Sequence, residues 1–150
     1  MATLEKTITI NAPTKKVYTF LNKPDNWKEI YPKITEIRDV DQLLSGGYRY
    51  SWRFKMVAGI PWEVRSENTE LVANRRIGLK NTCGIGGVRY VELDETLYLH
   101  PENGKTKLTY RAKNRVPVPL IHALFESLFM KMNGRRVDSF LSNLKAKMEG

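Results

Sequence analysis

The 150-residue chain reads as a single α+β domain. The expected fold is an antiparallel sheet of about seven strands, interrupted after its first strand by two short helices and covered on one face by a long C-terminal helix. Three observations predict it. Apolar and polar residues alternate through most of the span from about 34 to 116, which is the period of strands with one dry face. Turn signals cut that span into hairpins. Beyond Pro117 and Pro119, apolar residues recur at helical spacing to the end of the chain.

The elements follow in order. "TLEKTITI" places Leu4, Lys6, Ile8 and Ile10 on one face of a first strand. "NAPTKKVYTFLN" predicts a short helix with Pro13 in its first turn and Val17, Phe20 and Leu21 as its apolar stripe. "KPDNWKEIYPKI" predicts a second short helix between Pro24 and Pro32. In "YRYSWRFKM", Tyr48, Tyr50, Trp52, Phe54 and Met56 alternate with Arg49, Ser51, Arg53 and Lys55. A three-residue loop at 57–59, with Gly59 left-handed, sets Phe54 opposite Trp62, Trp52 opposite Val64 and Tyr50 opposite Ser66, with Arg53–Glu63 and Arg49–Glu67 on the other face. A two-residue turn at Ala73–Asn74 sets Ser66 opposite Asn81, Glu67 opposite Lys80 and Asn68 opposite Leu79, but it also turns Glu70 and Arg75 inward. A type I′ turn at Asn103–Gly104 sets Leu99 against Leu108, Leu97 against Tyr110, Glu95 against Ala112 and Leu93 against Asn114. Thr96–Arg111, Asp94–Lys113 and Glu92–Arg115 then meet outside. A one-residue slip would reverse both faces, so bulk within and paired charge without test the register.

Two segments stand apart. "CGIGG" at 83–87 lacks the Lys-Ser/Thr and following helix of a phosphate loop, and predicts a tight turn or bulge. In the long helix, Ile121, Phe125, Leu128 and Met132 share one stripe, while Val137, Phe140, Leu141, Leu144 and Met148 share another displaced by roughly 140°. "NGRR" at 133–136 lies at the changeover, where Gly134 would ease a bend. Leu120, Phe129 and Met130 make the first half apolar nearly all round, as a lid over a pocket or as a half-helix buried on two sides.

Lys and Arg number 25 against 16 acids, for a net charge of +9. The basic residues are scattered and many have acidic cross-strand partners, and no recognition-helix, zinc-finger or ribonucleoprotein pattern is present, which argues against nucleic acid. A peripheral contact with anionic membrane remains compatible with the charge. The single cysteine, Cys83, cannot form an intrachain disulfide. The start "MATLEKTITI" has no apolar signal region and no stretch is long enough to span a bilayer, so the expected location is the cytoplasm. His100 and His122, with Cys83, show no metal-ligand spacing, and no cofactor motif is seen.

"TITINAPTKKVYTFLNKPDNWKEIYPKI" resembles the opening of the START-like superfamily, also called SRPBCC or helix-grip proteins: a strand, Ala-Pro, a helix bearing aromatics, then Pro-x-x-Trp. "GYRYSWRF", "ENGKTKLTYRAK" and the long last helix are similar to later parts of that pattern, so the resemblance spans nearly the whole chain, closest to the polyketide cyclase and lipid-transport branch. It implies a curved sheet wrapped round the C-terminal helix, enclosing a hydrophobic cavity. It implies no catalytic residue, because the superfamily of carriers, hormone receptors, cyclases and oxygenase domains shares none.

The inward face supports a cavity on its own account. Ser66, Asn81, Glu95 and Asn114 point among large apolar side chains, and a dry core would leave them unsatisfied at roughly 1–3 kcal/mol each. Apolar walls with a few convergent polar groups describe a small-molecule pocket. The expected sheet wall is Tyr48, Tyr50, Trp52, Phe54, Trp62, Leu79, Leu93, Leu97 and Tyr110; Phe125, Leu128 and Phe129 would close it from the helix. Glu95 is the sharpest residue, with Arg75 its expected partner and Asn81 and Asn114 nearby. It would anchor a ligand, act as an acid/base, or serve a structural ion pair. Three functions follow: a carrier or sensor for a hydrophobic small molecule, lipid-like or aromatic, as monomer or homodimer; a cyclase/dehydratase-like enzyme using Glu95; and a basic module for an anionic membrane or acidic partner.

Overall fold

The computed structural model describes residues 2–31, 33–55, 61–85, 88–115 and 122–150, and within these the side chains of 2, 55, 85, 88–90 and 122–130 are left aside. β1 (Ala2–Ile10) is followed by α1 (Thr14–Leu21), a 3-10 turn (Pro24–Asn26) and α2 (Trp27–Ile30). Six strands come next: β2 (Ile34–Gln42), β3 (Tyr48–Lys55), β4 (Pro61–Val72), β5 (Arg76–Ile85), β6 (Val88–Glu102) and β7 (Lys105–Arg115). The chain closes with α3 (His122–Glu149). One antiparallel sheet results, in the order β1-β7-β6-β5-β4-β3-β2. The α+β architecture is the one expected, and α1 and α2 carry the chain from one sheet edge to the other.

Local chemistry explains the joints. Asn103 and Gly104 both have positive φ (50° and 79°), as a type I′ turn requires, and the β6–β7 pairing matches the expected register from Leu93–Asn114 to Leu99–Leu108. The β3–β4 pairing sets Phe54 against Trp62 and Tyr50 against Ser66 as anticipated. The loop at 57–59 lies outside the described residues. The glycine segment produces a register shift between Cys83 and Gly84, a bulge of the expected kind; residues 86–87 are not described.

The β4–β5 turn corrects the sequence reading. Ser66–Asn81 and Asn68–Leu79 pair as expected, but the next pair is Glu70–Gly78, so Thr69 is an extra, bulged residue. A Cβ on Gly78 would come within 2.8 Å of the Thr69 hydroxyl, which is why glycine faces the bulge. The bulge lengthens the turn to 73–75 and flips what precedes it. Leu71 now faces Ile77, and Glu70 turns outward to bind Arg76 at 2.8 Å. Arg75 leaves the strand altogether.

α3 is helical without interruption through 133–136. Its second stripe, Val137, Phe140, Leu141, Leu144 and Met148, is buried as expected. Polar ties run along the helix: Asp138 to Lys6 at 3.1 Å, Lys145 Nζ donating to the Thr9 carbonyl at 2.8 Å, and the Asn11 amide donating to Glu149 at 2.8 Å. α2 is held from below, where Asn143 donates to the Ile30 carbonyl at 3.0 Å and Trp27 stacks on Phe140 at 5.3 Å. Asn26 and Trp27 donate to the carbonyls of Phe20 and Leu21, satisfying the open end of α1.

On the outer face, Arg53 and Arg38 share Glu63 at 2.8 and 3.1 Å. Arg111 binds Glu5 on β1 at 2.9 Å. Part of the net positive charge is therefore already paired. No helix among the described residues is long and apolar enough to cross a membrane.

Candidate functional site

The inward face of β3 to β7 carries a chain of polar groups that converge on one carboxylate. Trp52 Nε1 donates to Ser66 Oγ at 2.8 Å, and Ser66 donates in turn to Asn81 Oδ1. Asn81 Nδ2 donates to the Leu93 carbonyl at 3.4 Å and to Glu95 Oε1. From the other side, the Tyr110 hydroxyl donates to Glu95 Oε2. The register dictates this geometry. Glu95 sits between Leu79 and Ala112, so Asn81 and Tyr110 are its diagonal neighbours on the two flanking strands. Direction is set at the start of the chain: an indole N–H only donates, so the links run from Trp52 through Ser66 and Asn81 toward Glu95.

A guanidinium from α3 faces this carboxylate across the cavity. Arg136 lies over the rings of Tyr31, at 5.2 Å, and Phe54, at 6.0 Å, so two aromatic faces hold its charge. Burial works against that charge; Tyr31, Glu95, Tyr110 and Cys83 work for it, and the balance leaves its pKa above the ordinary arginine value. Its Nε is buried without a hydrogen-bond partner. Arg136 and Glu95 line one cavity, whose apolar wall includes Tyr31, Tyr50, Trp52 and Leu79. The cavity measures about 20 Å³ for the centre of a water-sized sphere, room for one ordered water rather than for a ring. Among the described residues, rings pack around it: Tyr31 stacks on Phe140 at 5.5 Å, Trp52 meets Phe54 at 5.2 Å, and Phe54 stacks on Trp62 at 6.4 Å.

The expected site residues divide into groups. Tyr50, Trp52, Leu79, Asn81 and Glu95 line the cavity. Phe54, Trp62, Leu93, Leu97 and Tyr110 are buried around it, and Asn114 is fully buried on the same face. Tyr48 is half-buried, and its amide donates to Asn68 Oδ1 at 2.8 Å. The side chains of Phe125, Leu128 and Phe129 lie outside the described set, as do those of His122 and Glu126. Arg75 is a correction. It is exposed in the turn, its side chain reaches only its neighbour's carbonyl, and its own carbonyl accepts from Leu99. The Thr69 bulge removes it from the sheet face that Glu95 occupies.

Arg136, not Arg75, lines the cavity with Glu95, and sequence reasoning missed it along with Tyr31. The stripe changeover at "NGRR" marks a rotation of the helix face there, but not which strand lies beneath it. Cys83 is buried on the same wall, and loss of solvation pushes its thiol up to about 12, which makes it a packing residue rather than a nucleophile.

The phenols share one fate. Burial raises Tyr31, Tyr50 and Tyr110 above the ordinary tyrosine value of 10.0, with Glu95 adding to the rise in each. A phenol whose pKa is raised by folding contributes stability that is intact below the unfolded value and is lost as pH climbs above it. Above about pH 10 the fold should therefore weaken. Tyr31, Tyr50 and Tyr110, three of the seven tyrosines, should ionise, by absorbance at 295 nm, only as the far-ultraviolet circular dichroism is lost. One titration of all seven near pH 10 with the dichroism intact would contradict that.

Comparison with known proteins agrees with this architecture. A family model described as polyketide cyclase / dehydrase and lipid transport matches residues 1–149. No curated protein matches the sequence. Among solved structures, a protein from Thermus thermophilus superposes with a TM-score of 0.79 at 17% identity, covering 98% of this chain and 97% of that one. A START superfamily protein from Mycobacterium smegmatis gives 0.78 at 12% identity, with 98% and 97% covered. The di-domain ARO/CYC StfQ from the steffimycin biosynthetic pathway gives 0.81 at 13% identity, covering 98% of this chain and 50% of that one. At these identities the likeness is one of fold.

Proposed function

The chain belongs to the polyketide cyclase / dehydrase and lipid transport family, and from that premise we propose that it binds an aromatic or similarly flat hydrophobic molecule between sheet and α3, as a carrier or sensor. The observation that carries this reading is the polar chain ending on Glu95 in a cavity shared with an arginine that lies over the rings of Tyr31 and Phe54. A purely structural core has little use for a carboxylate and a guanidinium that line one water-sized cavity without pairing. A ligand with a hydroxyl and a carbonyl would fit there, donating to Glu95 and accepting from Arg136. Binding buries the ligand's apolar surface against these rings, at roughly 25 cal/mol per Å² gained.

The wall favours a flat ring system over a bulky lipid chain, since Tyr31, Tyr50 and Trp52 offer aromatic faces against which a ring can stack. The test is native mass spectrometry of freshly purified protein, followed by denaturation and identification of what it carried, together with titration of 2-naphthol by tryptophan fluorescence. Bound small molecule, or saturable quenching of the tryptophan fluorescence, is expected. An empty protein that also ignores 2-naphthol defeats the reading.

One observation favours an enzyme as the second reading: the Tyr110 hydroxyl contacts the carboxylate directly, so a proton donor and an acceptor share one hydrogen bond. In a cyclase or dehydratase, Glu95→Gln should abolish turnover and leave binding intact. In a carrier it should change little beyond selectivity for the polar group.

A further inference from the structure

Two buried amides lie beyond the chain that ends on Glu95 and take no part in it. Asn114 is fully buried and Asn133 is 3% exposed, and on both residues the side-chain oxygen and nitrogen have no hydrogen-bond partner. Native proteins rarely leave one such group unsatisfied, and here there are four atoms on two residues.

The pitch of α3 against the sheet sets the two residues at about the same level of the helix–sheet interface. Asn133 continues the buried stripe Val137, Phe140 and Leu144, seven residues before Phe140 and so on the same face of α3. Phe140 meets the Tyr110 ring edge-on at 6.0 Å. From that contact, Asn133 lies about 10.5 Å along the helix, and Asn114 lies about 13 Å along β7. The ties of α3 to β1 set the same pace. Asp138 meets Lys6 and Lys145 meets Thr9, so seven helix residues span three strand residues. Five residues back from Asp138 reaches the level of Leu4, whose partner Ala112 precedes Asn114 on the same face. Arg136, with its own partnerless Nε, sits one turn away from Asn133.

We infer that Asn114 and Asn133 form a second polar subsite, which takes a neutral oxygen group, hydroxyl or carbonyl, at the far end of the bound molecule. The inference rests on the binding function proposed above and adds the ligand's chemistry. Two carboxamides can both donate to and accept from a hydroxyl, whereas a carboxylate there would meet two amide oxygens as well as the donors. Asn114 is the diagonal neighbour of Glu95 on β7, opposite in direction to Tyr110, at about 7–8 Å. The ligand is therefore a rigid apolar body oxygenated at two points about that far apart, with one oxygen for Glu95 and Arg136 and one for the asparagines.

The experiment compares 2-naphthol with 2,6-dihydroxynaphthalene, which carries a hydroxyl at each end of the same rings, on the wild type and on Asn114→Leu and Asn133→Leu. The second hydroxyl should tighten binding to the wild type about tenfold. Each variant should lose that gain and keep its affinity for 2-naphthol within about twofold. Asn114→Ala and Asn133→Ala replace any leucine variant that does not fold. If neither compound binds the wild type, the cavity reading itself fails and this inference with it. If 2-naphthol binds but the second hydroxyl adds nothing, or its gain survives both substitutions, the asparagines hold only buried water and this inference alone falls.

Discussion

Phe140→Ala should cost about 3–5 kcal/mol of stability. The ring is 1% exposed and sits at the crossing of three elements, stacked on Trp27 at 5.3 Å and Tyr31 at 5.5 Å and edge-on to Tyr110 at 6.0 Å. No other described side chain touches α2, the segment entering β2, and β7 through ring contacts at once. Its removal leaves a void bounded by stiff aromatics that collapse poorly, which places the cost toward the upper part of the usual range. For a chain of this length each kcal/mol lowers the melting temperature by roughly 2–4 °C. A thermal melt should therefore drop by about 10 °C or more. A drop within about 2 °C would show that α3 is held by its polar ties to β1 and that the ring is incidental.

Glu95→Leu should be the costliest change on the polar side, at about 2–4 kcal/mol. It leaves the Tyr110 hydroxyl and an Asn81 N–H without their acceptor, and it leaves Arg136 facing no carboxylate. The cost is one of unmatched partners, so it should be recoverable. Glu95→Leu combined with Tyr110→Phe and Arg136→Leu should regain more than half of the loss in urea unfolding, whereas independent effects would add. Glu95→Gln keeps one acceptor oxygen and should cost no more than about 1 kcal/mol. Additive losses in the triple variant would mean that the three groups do not form one network.

Much of the site was legible because hairpin geometry is local. The Asn103–Gly104 turn and the period of two suffice to place Glu95 opposite Ala112 and to turn it inward between Leu93 and Leu97, with Asn114 on the same face. The same logic set Ser66 beside Asn81, and hence most of the polar chain. It failed at Arg75 through one inserted residue. A bulge at Thr69 leaves the pattern of apolar residues around it unchanged while shifting the turn by one position, and nothing in the residue types alone marks it except Gly78 across the strand pair. Arg136 was invisible for a different reason. A helical wheel shows that the apolar stripe rotates at "NGRR", but which strand lies beneath that rotation depends on how α3 docks.

The order of residues by itself determined the pairing of β3 with β4 and of β6 with β7 and the inward orientation of the acid, since these follow from turn conformation and side-chain alternation over a few neighbours. Only the tertiary structure decided which cation shares a cavity with that acid, which of the described amides are left without partners, and how large the void between them is. Those outcomes depend on how a helix more than twenty residues away in the chain settles on the sheet, and on the summed volumes of side chains drawn from every element, and such sums have no local signature.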